Sequence, residues 1–133
     1  MENAIGAFAS QPPPKMQLST RRTGGVAVVD ISGAITFGDN SLKLHQTVRD
    51  LLNQENHRIL LNLREVHYID SSGLGELMRS YTSVRNQGGE MKVANVTRRV
   101  HDLLKMTRLD AIFRVNDDEI TAIDSFGGSQ KLG

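Results

Sequence analysis

The chain has 133 residues, with 16 Lys plus Arg against 15 Asp plus Glu and a formal charge of +1. A single domain of that length buries roughly two-thirds of its unfolded surface, and the absence of cysteine excludes disulfides, thiolate metal sites and a cysteine nucleophile. The even charge, the lack of Trp and a count of only four Phe and two Tyr argue against a nucleic-acid binder, and no apolar run approaches the roughly 18 residues of a membrane span.

Met1 to Lys15 has neither a basic n-region nor an apolar core, so no signal peptide is expected and the domain is placed in the cytoplasm. Its small residues and Pro12-Pro13-Pro14 point to a disordered tail over 1–15. Met16 to Arg22 alternates as a strand, Gly24-Gly25 is a turn, and Val26 to Ile31 has the β-branched apolar character of a buried strand. Gly33 is expected to end that strand, with Ala34 to Phe37 a short strand or loop. Gly38-Asp39-Asn40-Ser41 supplies helix-start chemistry, and Leu44, Val48, Leu51 and Leu52 recur at helical spacing.

Arg58 to Leu63 reads as a second apolar strand, and Val66 to Ile69 as a short extended approach to Asp70. Leu74, Leu77, Met78, Tyr81 and Val84 form one helical face, and Gly88-Gly89 stops that helix. Met91 to Ala94 is a further core strand. Val96, Val100, Leu103 and Leu104 mark a helix with Thr97 near its start. Phe113 to Val115 is expected to be a last short strand, Asp117 to Glu119 to open a final turn of helix, and 125–133 to be a flexible C-terminal tail. The folded domain is thus expected over 16–124. Strands separated by helices of 10–15 residues imply parallel crossovers, and the leading pair an antiparallel hairpin, so the class is α/β with a mixed sheet.

Catalytic patterns are missing. There is no phosphate loop, and Met78 stands where a dinucleotide fingerprint needs its third glycine. Asp70 and Leu74 occupy the glycine positions of a nucleophile elbow around Ser72. His45, His57, His67 and His101 lack metal-ligand spacing. No enzyme activity, metal or cofactor is expected.

Asp70-Ser71-Ser72-Gly73-Leu74-Gly75 is unusual chemically. Two readings stand. In one, Asp and Ser merely cap the helix by accepting hydrogen bonds from its free N–H groups. In the other, the small residues keep the serines accessible to another protein. Gly73 and Gly75 each cost roughly 1 kcal/mol relative to Ala within a helical turn, and neither serine meets the S-x-x-E capping box. A phosphate on either serine would suit the positive end of the helix, while repelling or displacing a partner docked there.

The segment Ile69-Asp70-Ser71-Ser72-Gly73-Leu74-Gly75 resembles the signature of STAS domains, especially bacterial anti-sigma-factor antagonists. The resemblance extends through Arg58 to Leu63, Gly88 to Val96, and Val100, Leu103, Leu104, Thr107 and Leu109, and covers about residues 16 to 124. It implies a STAS-like mixed β-sheet of four to five strands with helices mainly on one face. It implies a non-enzyme whose unphosphorylated form binds an anti-sigma factor of serine-kinase type and so releases a sigma factor. The kinase would phosphorylate Ser72, and a serine phosphatase would restore binding. Asp70 and Ser71 would shape the docking loop, with Gly73 beside them and the outward residues Glu76, Arg79, Ser80 and Ser83 supplying docking surface. Thr36 takes the place where many antagonists carry an acidic residue, and Asp39 is the nearby substitute. The resemblance leaves room for a weak homodimer and implies neither nucleic-acid binding nor membrane insertion. STAS-like domains also serve as constitutive interaction modules in transporters and stress-signalling assemblies, which is the alternative role.

Overall fold

The computed structural model describes residues 15–132, with side chains at 39–41 and 127–132 left out of the description. The tail expected over 1–15 therefore lies, apart from Lys15, outside the described residues. The elements run β1 (Gln17–Thr23), β2 (Val26–Ile35), α1 (Asp39–Asn53), β3 (Arg58–Ile69), α2 (Ser71–Asn86), β4 (Glu90–Ala94), α3 (Arg98–Met106), α4 (Leu109–Phe113) and α5 (Glu119–Leu132).

Among the described residues the strands form one sheet in the order β1-β2-β3-β4. β1 pairs antiparallel with β2 across the glycine turn, and β2–β3 and β3–β4 pair in parallel. This is the mixed α/β sheet that the alternation of strand and helix signals implies. Side-chain alternation along each strand then divides the apolar residues between two faces. Ala27, Val29, Ile31, Ile59, Leu61, Leu63 and Val93 join Leu44, Val48, Leu77, Val84, Val100, Leu104 and Phe113 in the main core. Val26, Val28, Leu60 and Ala94 form a smaller core with Ala122 and Phe126 of α5. Helices thus lie mainly on one face, and α5 covers part of the other.

The structure departs from the sequence reading in four places. β2 does not end at Gly33 but continues to Ile35, and Gly33 takes a positive φ of 92° where the β2–β3 register shifts. Glycine meets that backbone requirement without a Cβ clash. β3 is one strand of 12 residues, and its second half pairs with the extended end of β2. The expected strand at Phe113 to Val115 is absent. Phe113 closes α4, Arg114 is left-handed at φ 49°, and sheet pairing shrinks to a bridge between Ala94 and Asn116. Burying Phe113 against Tyr81, ring centroids 5.7 Å apart, favours the helical turn over a fifth strand.

The fourth difference is the C-terminal boundary. Instead of a tail from Ser125, helix α5 runs to Leu132, and Phe126 is fully buried. Lys92 of β4 explains part of the docking. Its ammonium sits 4.8 Å from the Phe126 ring centroid and donates to Ser125 Oγ at 2.6 Å. Burial pushes the Lys92 ammonium below its ordinary pKa. At the other end of α5, Arg21 bonds both Glu119 and Asp30, and Asp30 also accepts from Asn62 Nδ2 at 2.7 Å.

Phe126→Ala should cost about 3 kcal/mol in urea unfolding, the scale of deleting a buried aromatic ring. A loss below about 0.5 kcal/mol would mean that the sheet does not depend on α5. The Arg21 hydrogen bonds hold the Asp30 and Glu119 carboxylates below their ordinary range. Their folded pKa values lie below the unfolded ones, so the added stability is present above about pH 4 and lost as pH falls through the folded values. Arg21 and Asp30 side chains are 40% and 33% exposed, and solvent screening keeps such pairs within about 1 kcal/mol. The stability gap between wild type and Arg21→Gln should be widest at neutral pH and close between about pH 5 and 2. A gap independent of pH would contradict the pairing.

Candidate functional site

The sequence around Asp70 builds a junction between two strand ends and two helix starts. Ile69 at the end of β3 pairs with Ile35 at the end of β2, and the next amide, Asp70 N–H, donates to Ile35 O at 3.2 Å. Asp70 is then the N-cap of α2, in extended conformation at φ −96° and ψ −177°. Its Oδ1 accepts from Gly73 N–H at 2.8 Å, and its Oδ2 accepts from Phe37 N–H at 3.1 Å. One carboxylate therefore caps α2 and also fixes the loop that leads into α1.

Capping falls to Asp70 and not to either serine. Ser71 and Ser72 occupy the first helical positions, with Ser71 exposed and Ser72 half-buried. Among the described residues neither serine hydroxyl has a hydrogen-bond partner. The two readings of the motif thus divide between its residues: Asp70 serves the helix, and the serine hydroxyls are available. The two glycines divide as well. A Cβ on Gly73 would overlap Ile35 O and crowd Ile69 Cγ2, whereas a Cβ on Gly75 would meet nothing within 4 Å. Gly73 lets α2 start against the sheet; Gly75 keeps the surface beside Ser72 low.

That surface is a groove of about 380 Å³ between the β2–α1 loop and α2, lined by Phe37, Gly38, Leu42, Ser71, Ser72, Gly75, Glu76 and Arg79. Phe37 and Leu42 form its apolar wall and are 82% and 60% exposed. The sequence reading missed both. Phe37 is an apolar residue in a loop, and Leu42 stands off the Leu44–Val48–Leu52 stripe; those two irregularities were the available signals. Thr36 is half-buried next to Phe37. Asp39 begins α1, and its side chain lies outside the described residues.

The outward face expected for α2 is corrected. Glu76 is only 4% exposed and Ser80 fully buried, while Arg79 is exposed and Ser83 half-buried. The cause is α1, which packs along α2 as the sheet does. Ser83 Oγ is hydrogen-bonded to His45 Nε2 of α1 at 3.1 Å, and Glu76 and Ser80 lie on the same covered stripe. Leu74, Met78 and Tyr81 are left only partly buried. Arg79 Nη1 donates to Glu76 Oε1 at 2.8 Å, and Glu76 Oε2 and Ser80 Oγ are buried without partners. The arrangement can present a hydroxyl, an apolar wall and one cation to a partner. Among the described residues there is no cluster of three or more His, Asp or Glu able to hold a metal ion.

Gly73→Ala should destabilise by about 1–3 kcal/mol, the scale of forcing a methyl into packed backbone. Gly75→Ala should be neutral or stabilising by up to about 1 kcal/mol, since it gains helix propensity without a clash. Equal effects of the two substitutions in urea unfolding would contradict the close approach at Ile35.

Comparison with known proteins places this geometry. Residues 17–122 match the STAS domain family. The chain is 31% identical over 108 residues to the anti-sigma F factor antagonist of Paenibacillus polymyxa, covering 81% of this chain and 92% of that protein. The fold is similar to an anti-sigma factor antagonist from Mycobacterium paratuberculosis at 20% identity, with a TM-score of 0.70 over 83% of this chain and 92% of that one. It is also similar to the Bacillus cell fate determinant SpoIIAA in its phosphorylated form, at 18% identity and a TM-score of 0.63, over 84% and 98% of the two chains. The family match over residues 17–122 and the 31% identity across most of both chains agree: the chain belongs to the STAS domain family.

Proposed function

We propose that this chain is an anti-sigma factor antagonist, a non-catalytic cytoplasmic module whose unphosphorylated form binds an anti-sigma factor and so frees a sigma factor. The observation that carries the reading is local. Asp70, and neither serine, caps α2 by accepting from Gly73 N–H, which leaves the Ser72 hydroxyl unpartnered in the groove walled by the exposed Phe37 and Leu42. Relatives named as anti-sigma factor antagonists support the same reading. The anti-sigma factor is of the serine-kinase type and phosphorylates Ser72; a serine phosphatase reverses it. No described helix is long and apolar enough to cross a membrane.

The switch follows from charge and position. A phosphate adds about −1.5 to −2 charge at pH 7. At the second residue of α2 it faces free N–H groups and the positive end of the helix dipole, so the fold accepts it. A partner seated on Phe37, Leu42 and Ser72 must instead desolvate that charge, and unmatched charge at an interface costs several kcal/mol. Ser71, Gly75 and Arg79 border the same groove, and Gly73, buried against Ile35, sets where Ser72 stands. Glu76 lines the floor of the groove, and Ser80 and Ser83 act from beneath it, on the side of α2 toward α1.

Incubation with the cognate kinase and ATP should place a single phosphate on Ser72 by mass spectrometry, and Ser72→Ala should abolish it while retaining binding. Ser72→Asp should weaken partner binding at least about tenfold by calorimetry, or 1.4 kcal/mol. Modification elsewhere with Ser72 untouched, or equal affinity of wild type and Ser72→Asp, would overturn the reading; a constitutive interaction module predicts no phosphorylation and equal affinity.

A further inference from the structure

We propose that Arg79 is the counter-ion for a phosphate on Ser72, exchanging part of its hold on Glu76 for the phosphate. The inference rests on the reading of Ser72 as the modified residue and deepens it, by naming what the phosphate meets on this chain.

Ser72, Glu76 and Arg79 line one groove, at successive turns of α2. Cβ atoms four residues apart on a helix lie about 5–6 Å from each other, and like charges at that spacing destabilise it. A phosphate on Ser72 therefore lands one turn from the Glu76 carboxylate. Glu76 cannot swing away: it is 4% exposed, and its Oε2 is already buried without a partner. Modification at Ser72 thus puts a second negative group beside one that is trapped and half-satisfied. The groove must supply a cation.

Among the residues lining the groove, Arg79 is the cation. Its side chain is 66% exposed, and Nη1 bonds Glu76 Oε1 at 2.8 Å. A guanidinium has five N–H donors in a planar fork, suited to holding phosphate through two of them. Long side chains on a helix lean toward its N-terminus. The Arg79 head already sits at the level of Glu76, so about one further turn, roughly 5 Å, separates it from the level of Ser72. The phosphoserine's own reach closes most of that gap. Among the described residues near the groove, both Asp70 oxygens accept backbone N–H groups, His45 is bonded to Ser83, and Lys43, beside Leu42, lines a different pocket with Leu18 and Thr47. Modification would then change the docking rim twice, by adding a phosphate and by drawing the exposed Arg79 across the mouth of the groove.

The test needs no kinase. Phosphoserine is installed at Ser72 of the full chain by genetic encoding, and its second ionisation is followed by phosphorus-31 NMR titration. A phosphoserine ionises near pH 6. Arg79→Gln should move that midpoint up by roughly half to one pH unit, the scale of removing one opposite charge within about 4–6 Å at a half-exposed site. Glu76→Gln should move it down. Arg79→Gln strands a buried carboxylate and can unfold the chain, so the second comparison is Glu76→Gln against Glu76→Gln/Arg79→Gln. The added loss of Arg79 should again raise the midpoint. No upward shift in either comparison overturns the proposal. Failure of a kinase to modify Ser72 would instead defeat the functional reading, and leaves this titration interpretable.

Discussion

The Asp70 carboxylate sits where β3 ends and α2 begins, and its two oxygens go to different parts of the chain. One holds Gly73 N–H, the other Phe37 N–H, while the backbone at Asp70 is tied to Ile35. Moving any of these partners moves the rest. The loop before α1 is fixed relative to the first turn of α2, so Phe37 stands next to Ser72 through a hydrogen bond rather than through burial of its ring. The same constraint requires Gly73, because α2 begins against the Ile35 carbonyl with no room for a methyl group. It also leaves the serine hydroxyls without a structural task. Cap and hydroxyl are separate residues two positions apart, so the Asp70 cap does not depend on the Ser72 hydroxyl.

Behind that junction lies the rest of the scaffold. The main core is closed by α1 to α4 over one face of the sheet, and α5 closes the other with Phe126 over Lys92. Arg21 pins the start of α5 to β1 and β2. Between Met16 and Asp124 the chain carries 14 basic and 14 acidic residues. On a body with balanced charge, one phosphate is a large electrostatic change confined to one end of one helix. Nothing in this arrangement requires the core to move when that charge arrives.

What the sequence made legible was local chemistry and periodicity. The near-continuous apolar runs of Val26 to Ile31 and Arg58 to Leu63 are set by burial on both sheet faces, and the D-S-S-G segment is set by helix-start chemistry, so both could be read from neighbouring residues. What it hid depended on a second neighbour. The stripe Leu74–Leu77–Tyr81–Val84 marks the arc of α2 toward the sheet, yet α1 covers a further arc, and that contact buries Glu76 and Ser80. Phe126 looked like part of a loose end because Gly127-Gly128-Ser129 follows it; only the apolar back face of Val26, Val28 and Leu60 gives it a place. Phe113 to Val115 has a strand-like alternation, but a left-handed Arg114 breaks it and tertiary packing of Phe113 decides the outcome.

The central claim is that Asp70 fixes the α2 junction so that a phosphate on Ser72 alters surface and charge without repacking the domain. The most direct measurement compares backbone amide NMR spectra of the chain with and without phosphoserine at position 72. Shift changes should be confined to residues near 36–45 and 70–80, with the Gly73 and Phe37 amides still protected from exchange and β4 and α5 unmoved. Loss of protection at Gly73 and Phe37, or shifts spreading through β4 and α5, would contradict the account.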